Sequence, residues 1–174
     1  MNVLSLKEID EIRKKGLRPQ VVCFCVNEGS VLLLHKSEYK MWMVPQGGID
    51  NKESAEKAIY RELSEELGST FIDSIVGKPV YLGEGEVAFN EKLYGDRDLE
   101  TDSGEKIVMK GKKYFYFAVE INSKNVKIEK VEFDDLFWLD YQAARYLLEK
   151  TKQLNKKLLN VKILDILKDK LLIY

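Results

Sequence analysis

Residues 53–68, ESAEKAIYRELSEELG, read as a helix that starts near Glu53 and stops at Gly68. Within it Glu62, Glu65 and Glu66 stand at i, i+3 and i+4, neighbours on one helical face, where like charges repel by roughly 0.2–0.5 kcal/mol per pair. On a wheel of ~100° per residue, Ala55, Ala58, Ile59, Leu63 and Leu67 form one apolar arc. Lys57, Arg61 and Ser64 lie away from it. The three glutamates fall within or beside the apolar arc rather than opposite it. This pattern restricts the fold more than any other stretch. The helix must rest on a core, yet its carboxylates need a cleft and a positive partner, because buried charge without compensation is costly.

A divalent cation is the natural partner. Mg²⁺ is hard, takes oxygen ligands, and binds through a few carboxylates while phosphate oxygens complete its shell. Just before the helix runs PQGGID, in which Gly47 and Gly48 let the backbone approach a ligand closely. Glu53 can anchor this loop or reach the metal. Arg61, on the wheel, points away from the glutamates, and its expected role is an ion pair that fixes the glycine loop. Loop, helix and carboxylates together make a metal–phosphate site.

The rest of the chain supplies a sandwich. Ser5 and Glu8 form a capping box ahead of a short helix over 6–15, stopped at Gly16. VVCFCVNEGSVLLLHKS reads as a hairpin around a polar turn. KMWMV is a short strand. Residues 79–89, 106–120 and VEFDDLFWLD read as further strands, and 90–105 as a long acidic loop without periodicity. Residues 141–174 are a helical tail, its many lysines the wet side of an amphipathic helix. Strands joined partly by hairpins and partly through helices predict an α/β fold with a mixed sheet and helices on both faces. The 174 residues fit one domain.

The segment GGIDNKESAEKAIYRELSEELGS resembles the Nudix box, G-x5-E-x7-R-E-U-x-E-E-x-G-U, where U is a bulky aliphatic. Gly47, Glu53, Arg61, Glu62, Leu63, Glu65, Glu66 and Gly68 match at the right spacing. Ser69 departs from the final aliphatic, with Phe71 and Ile72 close behind. GLRPQVV, KMWMVPQGGID, KKYFYF and VEFDDLFWLD also resemble, in this order, segments of bacterial RNA pyrophosphohydrolases and dinucleoside polyphosphate hydrolases. The likeness covers roughly residues 16–140. The acidic stretch 90–105 and the tail from Tyr141 are unlike the basic segments of that family.

The resemblance implies a Nudix-type α/β/α sandwich with extra C-terminal helices, one domain over residues 1–174 with its box at 47–69. It implies hydrolysis of a nucleoside diphosphate linked to another group, with Mg²⁺ as cofactor and Mn²⁺ able to substitute. Glu62, Glu65 and Glu66 match metal ligands, and Glu132 matches an extra carboxylate across the site. Arg18 matches a phosphate-contacting arginine. Gln46, Gly47, Gly48 and Trp42 match the wall of the substrate cleft. Lys36 and Tyr114 are further substrate-binding candidates, although solvation and core packing account for them equally well. Glu53 and Arg61 are structural. The expected substrates are an RNA 5′ tri- or diphosphate end or a dinucleoside polyphosphate. Alternatives are a general nucleotide house-cleaning pyrophosphatase and a non-catalytic nucleotide-binding module.

Composition narrows the rest. The formal net charge of -1 gives no global field for DNA or an anionic membrane. No apolar run reaches the ~18–20 residues of a membrane span, and the N-terminus carries no signal-like segment. The expectation is a cytoplasmic protein, with the oligomeric state open. Cys23 and Cys25, the only two cysteines, point to one face of a strand and read as reduced core thiols. His35 reads as structural.

Overall fold

The computed structural model describes residues 4–94, 98–129 and 133–174. Helix α1 (Leu6–Lys14) leads into strand β1 (Leu17–Asn27), which turns into β2 (Ser30–Lys36). Two short strands, β3 (Met41–Met43) and β4 (Gln46–Gly48), precede helices α2 (Ala55–Leu67) and α3 (Ser69–Ile72). The chain continues through β5 (Ile75–Ala88), the small hairpin β6 (Asp98–Glu100) and β7 (Lys106–Val108), then β8 (Gly111–Ile121) and β9 (Asp135–Leu139). Helices α4 (Tyr141–Glu149) and α5 (Leu154–Asp169) follow.

Seven strands form one mixed sheet, in which β1 and β8 run parallel and the other pairs antiparallel. The hairpin of β1 and β2 is paired only at its turn, Val26 with Val31 and Asn27 with Ser30. Beyond that point the strands part, and the segment carrying Pro45 enters between them. β3 pairs with β2 and β4 with β1, while Cys23 donates its N–H to the Pro45 carbonyl at 2.8 Å. Proline has no N–H to give a ladder, so it suits this crossing point. The glycine loop is thereby held as a strand against β1.

Alternation along β1 builds two cores. Val21, Cys23 and Cys25 face α1, α2 and α3, packing with Ile9, Ile59, Leu63, Leu67 and Phe71. Val22, Phe24 and Val26 face α4 and α5, with Ala144, Leu148, Ile163, Leu164 and Leu167. Helices thus cover both faces of the sheet, the arrangement expected from the strand and helix order. Both cysteines are free and fully buried.

Local signals set the ends of α2. Ser54 caps its start by accepting the Lys57 N–H at 3.3 Å. Gly68 ends it at φ +101°, where a Cβ would also meet the Glu129 Cβ at 2.7 Å. Ser69 is exposed, and Phe71, fully buried two residues on, supplies the apolar anchor that the box position lacks. Ser5 and Glu8 make the reciprocal cap on α1.

Three expectations change. The stretch 106–120 is two strands rather than one, and β5 begins at Ile75. The acidic stretch 90–105 is not a bare loop. It contains a short 3-10 turn and β6, and the β6–β7 hairpin is pinned by Asp102. The Asp102 carboxylate accepts from Arg13 at 3.1 Å and from the Lys52 N–H at 2.9 Å, and its own N–H donates to Asp10 at 2.7 Å. Tertiary hydrogen bonds, absent from any periodicity, order this piece. Lastly, the tail lysines do not share one wet face. Lys150, Lys152, Lys162, Lys168 and Lys170 are exposed, but Lys156 is buried. Among the described residues no helix is long and apolar enough to cross a membrane.

Candidate active site

Helix α2 and strand β4 meet edge to face, and the glycine pair decides how closely. A Cβ on residue 47 would lie 1.8 Å from the Glu62 carboxyl carbon, and one on residue 48 would lie 2.6 Å from Arg18 Nη2. The absence of two methyl groups therefore admits one anionic and one cationic side chain against the loop. The Gln46 N–H donates to Glu66 at 3.1 Å.

Arg61 is the hub. It donates to Glu53 twice at 2.9 Å, to the Gly48 carbonyl at 2.6 Å, to Glu62 at 2.7 Å and to Glu65 at 3.3 Å. The expected tie to the glycine loop is present, but the arginine does not point away from the glutamates. A long guanidinium reaches across roughly one turn, further than the direction of its Cα–Cβ bond on a wheel indicates. The Arg61 pKa is held above its already high usual range, first by the hydrogen bond with Glu53. Burial pushes Glu62 up, helped by the Glu65 charge and opposed by Arg61 and Arg18. Burial also acts to raise Glu53, but hydrogen bonds from Arg61 and the Asp50 N–H bring it below its usual 4.5. The glutamates differ in exposure: the Glu62 side chain is 12% exposed and that of Glu65 is 56%. Glu65 is therefore turned to solvent rather than to the interior.

The Glu53 shift has a sign that can be measured. A carboxyl with a lowered folded pKa stabilises the fold above its unfolded value and loses that contribution as pH falls through the folded value. Thermal denaturation of wild type and Glu53→Gln should therefore differ most above about pH 4.5, with wild type higher, and the curves should converge as acid protonates Glu53. Parallel curves down to the acid limit would contradict the pairing.

Beside α2 lies a cavity of ≈ 590 Å³ lined by Gln46 and Glu66 on one side and by Lys36, Lys40, Lys112 and Lys152 around it, with Tyr39 and Phe133 as aromatic walls. Lys36 and Gln46 thus line this cleft. Trp42 is not among its lining residues. Alternation in β3 sends Met41 and Met43 to the cleft and Trp42 to the other face, where it packs on His35 at 4.8 Å and Phe137 at 5.6 Å between ring centres. Tyr114 is 5% exposed, packed in the second core against Tyr116, and burial pushes its hydroxyl up to about 12. It lines a neighbouring cavity instead. Arg18 lies over Gly48 and makes no ion pair among the described residues. Glu132 lies outside the described residues. The buried Gln46 Oε1 has no hydrogen-bond partner among the described residues, an acceptor left over in the cleft wall.

Lys112, Lys40, Tyr39 and Phe133 join the site without having been singled out from the sequence, while Lys156, like Tyr114, lines the neighbouring cavity. Lys112 comes there because β8 runs parallel to β1 with Arg18 opposite Lys112, a register that no local pattern encodes. Lys156 comes from the first turn of α5. Burial, helped by the Lys112 charge and opposed by Glu66, lowers its pKa to about 8.

The donor set suits a hard cation: Glu62, Glu65 and Glu66 offer carboxylate oxygens within one helical turn, and the space that Gly47 leaves is filled by one of them. The carboxylates are not gathered into a cage, however. Among the described residues no group of three or more His, Cys, Asp or Glu side chains is placed to hold a metal ion. Arg61 instead holds Glu62 and Glu65.

The NUDIX domain family matches the chain over residues 16–161. The chain is 33% identical over 138 residues to an RNA pyrophosphohydrolase of Ruthia magnifica subsp. Calyptogena magnifica, a match covering 75% of this chain and 72% of that protein. It is 32% identical over 130 residues to an RNA pyrophosphohydrolase of Pasteurella multocida, covering 72% of this chain and 63% of that one. A solved C. elegans Ap4A hydrolase shares the fold at a TM-score of 0.58 and 16% identity, covering 89% of this chain and 98% of the other. Domain match, box geometry and sandwich agree, and the chain belongs to the Nudix hydrolase family.

Proposed function

We propose that this Nudix pyrophosphohydrolase acts on a nucleoside polyphosphate, with the 5′ tri- or diphosphate end of RNA as its leading substrate and Mg²⁺, or Mn²⁺, as its cation. One observation carries the reading: a single cleft brings Glu66 of the box together with four lysines and two aromatic rings. Such a lining matches a chain of phosphates attached to a base.

In this reading Glu62, Glu65 and Glu66 would hold the cation, with Glu132 added from the family resemblance, and a bound cation would supply charge neutralisation for the phosphates and a lowered pKa for water. Arg18, Lys36 and Lys112 align and neutralise the phosphate oxygens. Gln46 offers its unpaired amide oxygen to the substrate, and the Gly47–Gly48 backbone lets the phosphates lie close. Glu65, the solvent-reaching carboxylate, accepts a proton from the attacking water. Glu53 and Arg61 hold the loop. Tyr39 and Phe133 are placed to stack a base, worth ~1–3 kcal/mol, in place of Trp42 and Tyr114. No covalent nucleophile is required; burial pushes both cysteine thiols far up and away from reactivity.

A dinucleoside polyphosphate is the second reading. It is favoured by the neighbouring cavity, which shares Lys112 and Gln153 with the cleft and offers room beyond a first nucleoside. The deciding experiment ranks kcat/KM with Mg²⁺ for triphosphorylated and diphosphorylated RNA, diadenosine tetraphosphate, nucleoside triphosphates and sugar nucleotides. RNA ends should rank first. Preference for diadenosine tetraphosphate would select the second reading, and no turnover of any of them with Mg²⁺ or Mn²⁺ would overturn both.

A further inference from the structure

The neighbouring cavity, ≈ 650 Å³, lies under the start of α5 and is lined by Lys112, Tyr114, Gln153, Leu154, Asn155 and Lys156 among others. Two independent features there call for an anion. First, α5 is a 16-residue helix whose N-cap, Gln153, makes no side-chain cap hydrogen bond. The N–H groups of Leu154, Asn155 and Lys156 belong to the first turn, which has no partners within a helix, and none is capped by a side chain among the described residues. Such a terminus carries partial positive charge. Second, Lys156 stands in that same first turn, 9% exposed, with no ion pair among the described residues. Although the Glu66 charge favours it, Lys156 is a cation that the positive end of the helix, burial and a second lysine all disfavour. An anion in the cavity reverses each of these terms at once.

We infer that the first turn of α5, with Lys156 and Lys112, forms a phosphate subsite that receives a part of the substrate's polyphosphate chain away from the bond that is cleaved. This rests on the polyphosphate reading above and deepens it. The subsite adjoins the catalytic cleft through Lys112 and Gln153, which line both cavities. Lys156 binds here and takes no part in the chemical step. Among the described residues no carboxylate lines this cavity, so binding here should not depend on a divalent cation.

The test is calorimetric titration of the full chain with inorganic tripolyphosphate in EDTA, and with AMP as a comparison. Wild type should bind tripolyphosphate. Lys156→Met, which keeps the aliphatic length, should bind it roughly 10- to 100-fold more weakly, the value of one lost charged hydrogen bond. Lys156→Arg should retain most of the affinity. Lys156→Met should also melt no lower than wild type, since it removes an unpaired buried charge, which separates a lost ligand contact from a lost fold. Equal tripolyphosphate affinity in wild type and Lys156→Met, no metal-free binding at all, or a Lys156 dependence seen for AMP but not for tripolyphosphate would each overturn the subsite. Those outcomes are distinct from failure of the hydrolase reading, which would appear as absent turnover in the substrate panel.

Discussion

Glu66→Gln is expected to lower kcat by about 10²- to 10⁴-fold, the span associated with losing one positioned acid–base or metal-holding group. The substitution keeps the shape of the side chain, and an amide oxygen can still accept the Gln46 N–H that Glu66 now accepts at 3.1 Å. Stability should therefore stay within roughly 0.5 kcal/mol, as for other substitutions that leave packing intact. What disappears is one negative oxygen facing a cleft that otherwise carries lysines. The measurement is steady-state turnover at saturating Mg²⁺, beside a melting curve of the same preparation. A wild-type rate in a folded variant would remove Glu66 from the metal set.

Arg61→Ala should produce the largest loss of stability among changes in the box. The guanidinium is 27% exposed and answers five acceptors. Without it, Glu53 and Glu62, with side chains 13% and 12% exposed, keep their charge in a half-dry setting. Removing one partner of a buried pair costs about 3–5 kcal/mol; the residual exposure of Arg61 places this case near the lower end, at about 2–4 kcal/mol. The Gly48 carbonyl also loses a donor, so the loop should loosen and activity should fall with stability. Arg61→Lys should recover only part of either, because an ammonium cannot span the Glu53 carboxylate and the loop carbonyl as a planar fork does. Urea denaturation of the three proteins separates these outcomes. An Arg61→Ala midpoint equal to wild type would show that the network carries no net stability.

The two substitutions probe one arrangement from opposite sides. Arg61 now occupies the position of a counter-ion for Glu62 and Glu65, while Glu66 faces the lysines across the cleft. A divalent cation and a polyphosphate entering together would supply positive charge to the glutamates and negative charge to Lys36, Lys40, Lys112 and Lys152. Charge complementarity of this kind also raises the local concentration of an anionic substrate, and it does so despite a formal net charge of only -1.

The chain's own residues made much of this legible before any coordinate. The Nudix box, the capping of α1 and α2, the alternation of β1 and the sandwich class follow from short-range rules: helical spacing, side-chain oxygens at helix starts, and the two-residue period of a strand. The glycine pair at 47 and 48 was likewise readable as a place of close approach. Tertiary structure alone decided what those rules cannot reach. Parallel pairing of β1 with β8 brings Lys112 opposite Arg18 across a separation of more than ninety residues. The splayed hairpin turns Trp42 away from the cleft and Met41 and Met43 toward it. The docking of α5 buries Lys156, which helical spacing had assigned to the solvent. Asp102 orders a hairpin where no periodicity exists. In each instance the cause is the same: a side chain's partner lies on another element, and the energy that fixes it, whether burial, a hydrogen bond or a charge pair, depends on a distance that exists only once the chain has folded.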